Sequence, residues 1–148
     1  MLGAASTGKT SLSDRYITGL FDPDIRLTVG VEFYIKKILL ERDGKQISIK
    51  LQIWDMGGEE RFRFLLPTYS LGSSGALFLY DITRKETLDE LNDWISIVRA
   101  KNGNIPILIL GNKVDLYKER EVSKELGREI CEQNDFAGFF ETSAKKGI

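Results

Sequence analysis

The sequence has 148 residues, 42% hydrophobic and 29% charged, with a formal net charge of -1. That fits one globular domain and gives no electrostatic ground for binding nucleic acid. It holds no histidine and one cysteine, Cys131, which excludes Ser-His and Cys-His nucleophile pairs, histidine-ligated zinc and an internal disulfide.

A lone cysteine fits a reducing compartment, and the expected location is cytoplasmic. No signal-peptide pattern and no bilayer-length apolar run is present. The chemistry left to the chain uses carboxylates, lysines, hydroxyls, backbone amides or a hard metal ion.

In chain order, Gly3 to Thr10 ("GAASTGKT") is a glycine-rich loop, and a helix is expected over Lys9 to Thr18. Val31 to Leu40 reads as a strand, Asp43-Gly44 as a turn and Gln46 to Trp54 as a second strand. In the latter, Ile47, Ile49, Leu51 and Ile53 alternate with Ser48, Lys50 and Gln52, so one face should be drier. Gly75 to Tyr80 and Ile105 to Leu110 are short apolar runs of the kind found in buried parallel strands. Thr83 and Glu86 form a capping-box signature for a helix with Leu88, Leu91, Ile95 and Val98 on one face and Gly103 at its end. Ser123 can cap a helix to about Gln133, and Ala137 to Phe140 is a shorter strand. The order indicates an α/β sheet wound through βαβ crossovers. Only Met1-Leu2 precede the glycine-rich loop, so the first strand and a last helix are expected to be incomplete or missing from a longer domain.

The first loop matches G-x-x-x-x-G-K-[ST], the pattern of a phosphate cradle. Gly3 and Gly8 let the backbone wrap closely. Successive N–H groups across Ala4, Ala5, Ser6 and Thr7, and on into Ser11, can point at phosphate oxygens, aided by the positive end of the following helix. Lys9 can reach β- and γ-phosphates, and the Thr10 hydroxyl can ligate Mg²⁺.

"NKVD", Asn112 to Asp115, follows an apolar strand at its carboxyl end, where ligands bind in such sheets. Asp115 can accept two hydrogen bonds from guanine N1–H and its amino group, a donor pair adenine lacks. Lys113 can lay its stem along the base, and Asn112 can tie this loop to the phosphate loop. "SAK", Ser143-Ala144-Lys145, follows the last strand, and the Ala144 N–H is a candidate donor to guanine O6. Each motif alone is weak; three in this order at strand ends are not a chance set.

With these motifs the chain resembles a small GTPase of the Ras superfamily. The resemblance covers all 148 residues and is closest to the Rab group through "TVGVEF", "WDMGGEERF" and "LFLYDIT". It implies a single P-loop NTPase domain over 1-148, with a mostly parallel central sheet, helices on both faces and one antiparallel edge strand. It implies GTP and GDP as ligands and GTP hydrolysis with Mg²⁺ held by Thr10, Thr28 and Asp55. Phe21 matches the aromatic residue against the guanine, and Gly58 the glycine whose N–H meets the γ-phosphate. The catalytic set is Lys9, Gly58 and Glu59. Effectors, exchange factors and activating proteins would meet switch I and switch II. Membrane association would go only through a tail outside these residues.

Four positions depart from the pattern. Glu59 replaces the glutamine that orients the attacking water; an ionised carboxylate cannot donate a hydrogen bond and is repelled by phosphate. Slow intrinsic hydrolysis is expected, against the alternative that Glu59 acts as a base. A guanine-nucleotide-binding module that does not hydrolyse is the competing function. Ala5 stands where Ras proteins have glycine. Met56-Gly57 replaces Thr-Ala, and the Arf-like Gly57-Gly58 pair should loosen the turn. The hairpin is longer than usual by about four residues, an even insertion that keeps its faces in register. Phe33, Trp54, Leu65, Leu66 and Tyr69 could form an apolar patch, or some could pack on the sheet.

Overall fold

The computed structural model describes residues 1–148. Helix α1 (Lys9–Thr18) leaves the glycine-rich loop and stops at Gly19, whose left-handed φ of 78° brings its N–H onto the Arg15 carbonyl. Strands β1 (Val31–Arg42) and β2 (Lys45–Met56) form an antiparallel ribbon. Asp43 and Gly44 turn it with φ of 53° and 71°, the paired positive values of a tight two-residue hairpin. Ile49, Leu51 and Ile53 are half-buried while Ser48, Lys50 and Gln52 are exposed, so the drier face is real but shallow.

A 3-10 turn over Glu60–Leu65 and the short α2 (Leu66–Tyr69) follow; neither stands out in the sequence pattern. Strands β3 (Ala76–Asp81), β4 (Ile107–Asn112) and β5 (Gly138–Thr142) make a parallel sheet in the order β3-β4-β5. Each continues further into its polar end than the apolar runs suggest, which carries Asp81, Asn112 and Thr142 onto the ladder.

The expected single helix after Thr83 is two pieces, α3 (Glu86–Asp89) and α4 (Leu91–Asn102), separated at Glu90. The capping box does not form. The Thr83 N–H and hydroxyl both donate to Asp81 Oδ1, at 2.9 and 2.7 Å, so Thr83 serves the strand end and the helix starts after Lys85. Leu88, Leu91, Ile95 and Val98 are buried as their spacing predicts. Helix α5 (Lys124–Gln133) is capped by Ser123, whose Oγ accepts from the Leu126 N–H. A 3-10 segment, Val114–Glu119, follows β4.

Phe78, Tyr80, Ile107 and Ile109 face Trp94, Ile95, Val98 and Val122 in one buried cluster. Burying each large apolar side chain contributes on the order of 2 kcal/mol. The opposite face, which strand alternation assigns to Leu77, Leu79, Leu108 and Leu110, ends at the phosphate loop.

The ribbon and the parallel sheet are not one continuous ladder. Leu2 bridges to Phe78, and Met1 hydrogen-bonds across to Trp54 and Met56, so two residues form the seam between β2 and β3. The sheet is therefore a parallel half and an antiparallel half joined by this seam, which is too short for a ladder.

Candidate functional site

The phosphate loop is shaped by what its glycines leave out. Gly3 has φ 129° and Gly8 φ 90°. A Cβ on Gly3 would strike the Leu79 carbonyl, and one on Gly8 the Asn112 amide. The loop therefore lies against β3 and the end of β4, at the carboxyl edge of the parallel sheet. Ser6 adopts φ 61° at its exposed crest. Thr7 bonds back to the Ala4 carbonyl at 3.0 Å.

Lys9 is 5% exposed, and its ammonium donates to the Gly3 and Ala4 carbonyls at 2.8 Å each. Burial lowers its pKa to about 8, with nearby Asp55 opposing the shift.

Beside it, three oxygen ligands converge. Thr10 Oγ1 donates to Asp55 Oδ2 at 2.5 Å and lies 2.5 Å from Thr28 Oγ1. Thr10 has one hydroxyl hydrogen, so Thr28 is the donor in that contact. Asp55 is fully buried and its Oδ1 has no partner. Burial pushes its pKa up, against the Thr10 hydrogen bond and the Lys9 charge. A buried carboxylate with an unused oxygen beside two hydroxyls suits a hard, oxygen-seeking divalent cation, so these residues fit Mg²⁺.

The Gly57-Gly58 turn is held rather than loosened. The Gly57 N–H donates to the Gly30 carbonyl at 2.7 Å. A Cβ on Gly57 would lie 2.9 Å from both the Gly30 and Thr28 carbonyl oxygens, and one on Gly58 would collide with the Ala4-Ala5 peptide. Neither glycine has positive φ, so the pair serves close approach, correcting the expectation from the sequence. Glu59 is half-buried at the cleft, and its Oε2 accepts Arg61 Nη2 at 2.8 Å and Nε at 3.3 Å.

At the other end, Asn112 donates to the Thr7 carbonyl at 2.8 Å and accepts from the Thr142 hydroxyl at 3.0 Å. Lys113 is held at φ 67°, with its ammonium 2.7 Å from Asp81. Ser143 donates to Asp115 Oδ1 at 2.5 Å. Ser143 and Ala144 are buried, and Lys145 is exposed.

A cleft of about 260 Å³ is lined by Ala5, Ser6, Gly8, Lys9, Thr10, Ser11, Phe21, Thr28, Gly58, Glu59 and Lys113. Gly3, Ala4, Thr7, Asp55, Asn112, Asp115, Ser143, Ala144 and Lys145 do not line it. Of these, Gly3, Ala4, Thr7, Asp55 and Asn112 stand one layer behind, bonded to residues of the loop and cleft. Asp22, Pro23, Ile25, Arg26 and Leu27 also line the cleft; their place between Phe21 and Thr28 was the available signal. Asp81, beside Lys113, and Arg84, beside the Ala5 carbonyl, adjoin the cleft as well, and the strand-terminal acid of "LFLYD" is their mark in the sequence.

Residues 1–148 match the sequence profile described as the Ras family. The chain belongs to the Ras family. This Ras-family chain is 40% identical over 149 residues to "Ras-related protein Rab-3A" of Homo sapiens, covering 100% of this chain and 66% of that protein. It is 36% identical over 148 residues to "GTP-binding protein ypt4" of Schizosaccharomyces pombe, covering 99% and 63%. It thus spans just under two thirds of the length of these relatives, and the Rab likeness agrees with its motifs. The Ras-family assignment and the observed sheet order together place it in the α/β P-loop fold.

The aromatic patch of this Ras-family chain is smaller than the sequence suggests. Phe33, Trp54 and Tyr69 stack in series, with ring centroids 4.5 and 5.5 Å apart, and all three are exposed. Leu66 is fully buried and Leu65 packs against the core, so neither belongs to the patch.

Proposed function

We propose that the chain binds GTP and GDP in this cleft and hydrolyses GTP to GDP and phosphate as a Mg²⁺-dependent molecular switch. The observation that carries the reading is the convergence of Lys9, Thr10 and Thr28 on one cleft that opens toward Lys113, with Asp55 bonded to Thr10 directly behind them.

The loop from Gly3 to Thr10 binds the phosphates, its amides and the Lys9 ammonium neutralising their charge. Thr10, Thr28 and Asp55 would hold Mg²⁺, which would supply positive charge beside the phosphates. Phe21 packs on the guanine, and Asp115 accepts from its N1–H and amino group. Ser143 takes one lone pair of Asp115 and leaves the carboxylate acceptor capacity for the base. The Ala144 N–H meets O6. In the reaction a water oxygen attacks the γ-phosphorus and the bond to the β,γ-bridging oxygen breaks. Its electron pair leaves with GDP, and the water's proton ends on the phosphate product. The Gly58 N–H bonds a γ-oxygen, and loss of that phosphate releases switch I and switch II.

Glu59 makes turnover slow. Its carboxylate can only accept, and it is engaged by Arg61 at 2.8 Å. The same pair favours the second reading, a guanine-nucleotide-binding module that does not hydrolyse. The exposed Phe33, Trp54 and Tyr69 rings suit effector, exchange-factor and activating proteins at the switches.

Two assays test this. GTP should displace a fluorescent GDP analogue far better than ATP; equal competition would sink the guanine assignment. Multiple-turnover phosphate release, with and without activating proteins, separates switch from module: no release under either condition leaves only the module.

A further inference from the structure

Asp81 ends β3 with its carboxylate 1% exposed, yet it carries four hydrogen-bonding partners. Oδ1 accepts the Thr83 N–H and hydroxyl. Oδ2 takes Lys113 Nζ at 2.7 Å and Arg84 Nε at 3.3 Å. Arg84 then donates through Nη2 to the Ala5 carbonyl at 2.9 Å. One buried acid thus holds the Lys113 side chain on one side and, through a rigid guanidinium, the middle of the phosphate loop on the other. The donors keep its carboxyl below the usual range although burial pushes the other way.

The register explains why this site exists. Asp81 pairs with Asn112 across the parallel β3-β4 ladder, so the residue after Asn112 can reach it. Asn112 makes its own tether to the Thr7 carbonyl. The phosphate loop is therefore fastened at two carbonyls, Thr7 by Asn112 and Ala5 by Arg84, from neighbouring strand ends.

We propose that Asp81 and Arg84 are positioning residues that couple the phosphate loop to the guanine-side loop and thereby set how long nucleotide stays bound. This rests on the guanine-nucleotide reading above. Neither residue lines the cleft; each acts through Lys113 or Ala5, which do. Truncating either leaves the Asn112 bond to the Thr7 carbonyl as the remaining tether between the loops. The nucleotide bridges both loops, so its escape then needs only one of them to move.

The test is release of a fluorescent GDP analogue from the full chain, chased with excess GDP. Arg84→Ala and Asp81→Asn should each release it about ten- to hundredfold faster, the scale of a lost hydrogen bond to a charged group. The double variant should release no faster than Asp81→Asn alone, because both residues belong to one linkage. A general loosening of the fold is separated by comparing GDP with GMP. In Arg84→Ala the preference for GDP should shrink, because the loop that holds the outer phosphate has lost its tether. Equal weakening of both ligands would overturn the coupling role. If the wild type holds the analogue and both variants release it at the wild-type rate, the clamp is wrong and the binding reading stands. If the wild type does not hold it at all, both fall.

Discussion

Lys9 gives the sharpest quantitative prediction, because burial and binding act on it with opposite sign. Its pKa in the folded, nucleotide-free protein is lowered from 10.5 to about 8 by desolvation. A lowered pKa on a base means the unfolded chain holds the proton more tightly. Between pH 8 and 10.5 the unfolded state therefore binds more protons at this group, and the Lys9 contribution to folding stability rises with pH through that window, against the raised thiol of Cys131 and the raised phenols of Tyr34 and Tyr80, which act the other way. At roughly 1 kcal/mol or slightly more per pH unit the full penalty of keeping this lysine charged is about 3 kcal/mol, and about half of it is relieved between pH 8 and 9.5. Phosphate favours the charged form, so binding above pH 8 must take up a proton. Affinity should fall about fivefold between pH 7 and 8.7 while the Lys9 contribution to the stability of the unliganded protein grows. Urea titrations from pH 8 to 9.5 measure the first effect and fluorescent-GDP titrations from pH 7 to 8.7 the second. Lys9→Met should remove the Lys9 part of the slope, so its stability should climb less, or fall more, with pH than that of the wild type. A wild-type stability slope no more positive than that of Lys9→Met over that range, with a flat affinity, would refute the desolvated lysine. Falling affinity without that difference in slope would assign the effect to the ligand instead.

Replacing Glu59→Gln restores a side chain that can donate as well as accept, and single-turnover hydrolysis should quicken about tenfold or more; an unchanged or slower rate would show that the carboxylate is not the impediment. Ser143→Ala removes the 2.5 Å bond to Asp115, and GDP affinity should weaken about tenfold with its preference over inosine diphosphate reduced; a preserved preference would mean Ser143 does not orient the acid. Gly111→Ala should cost about 2 kcal/mol, because its Cβ would lie 2.7 Å from the Tyr80 hydroxyl. That hydroxyl is buried without a partner, so Tyr80→Phe alone should be neutral or mildly stabilising and should recover part of the glycine variant's loss. Additive effects in urea melts would deny the contact.

Most of the site was legible because its chemistry is local. A phosphate cradle needs two glycines, a lysine and a hydroxyl within eight consecutive positions, and Gly3 to Thr10 supplies them. The Asp43-Gly44 hairpin was readable for the same reason: two residues with positive φ are a local demand. The apolar runs marked all three parallel strands but fell short of their ends. A strand's last residues turn polar where they meet ligand, so hydrophobicity fades before the ladder does. The false capping box at Thr83 shows the converse limit. Thr83 and Glu86 have the right spacing for a cap, but Asp81, two residues back, takes the Thr83 N–H that Glu86 would accept and also the Thr83 hydroxyl proton.

What stayed hidden depends on register and on absent atoms. Whether Asp81 meets Lys113 is decided by which residue of β3 lies opposite which residue of β4, and parallel register carries no mark in the spacing of either strand. Glycine is ambiguous in the same way. At Gly57-Gly58 the sequence permits either a flexible turn or a tight approach. Only the positions of the Thr28, Gly30 and Ala4 backbones decide for the second. This gives the Arf-like pair a mechanical meaning in a Rab-like chain. With no Cβ at either position, the turn rests directly on the Thr28 and Gly30 carbonyls and on the Ala4-Ala5 peptide, and in the proposed switch a change at the phosphate would reach both segments through backbone contact. An alanine at position 58 would have to push the Ala4-Ala5 peptide away, and in the proposed switch it would weaken the response to the γ-phosphate.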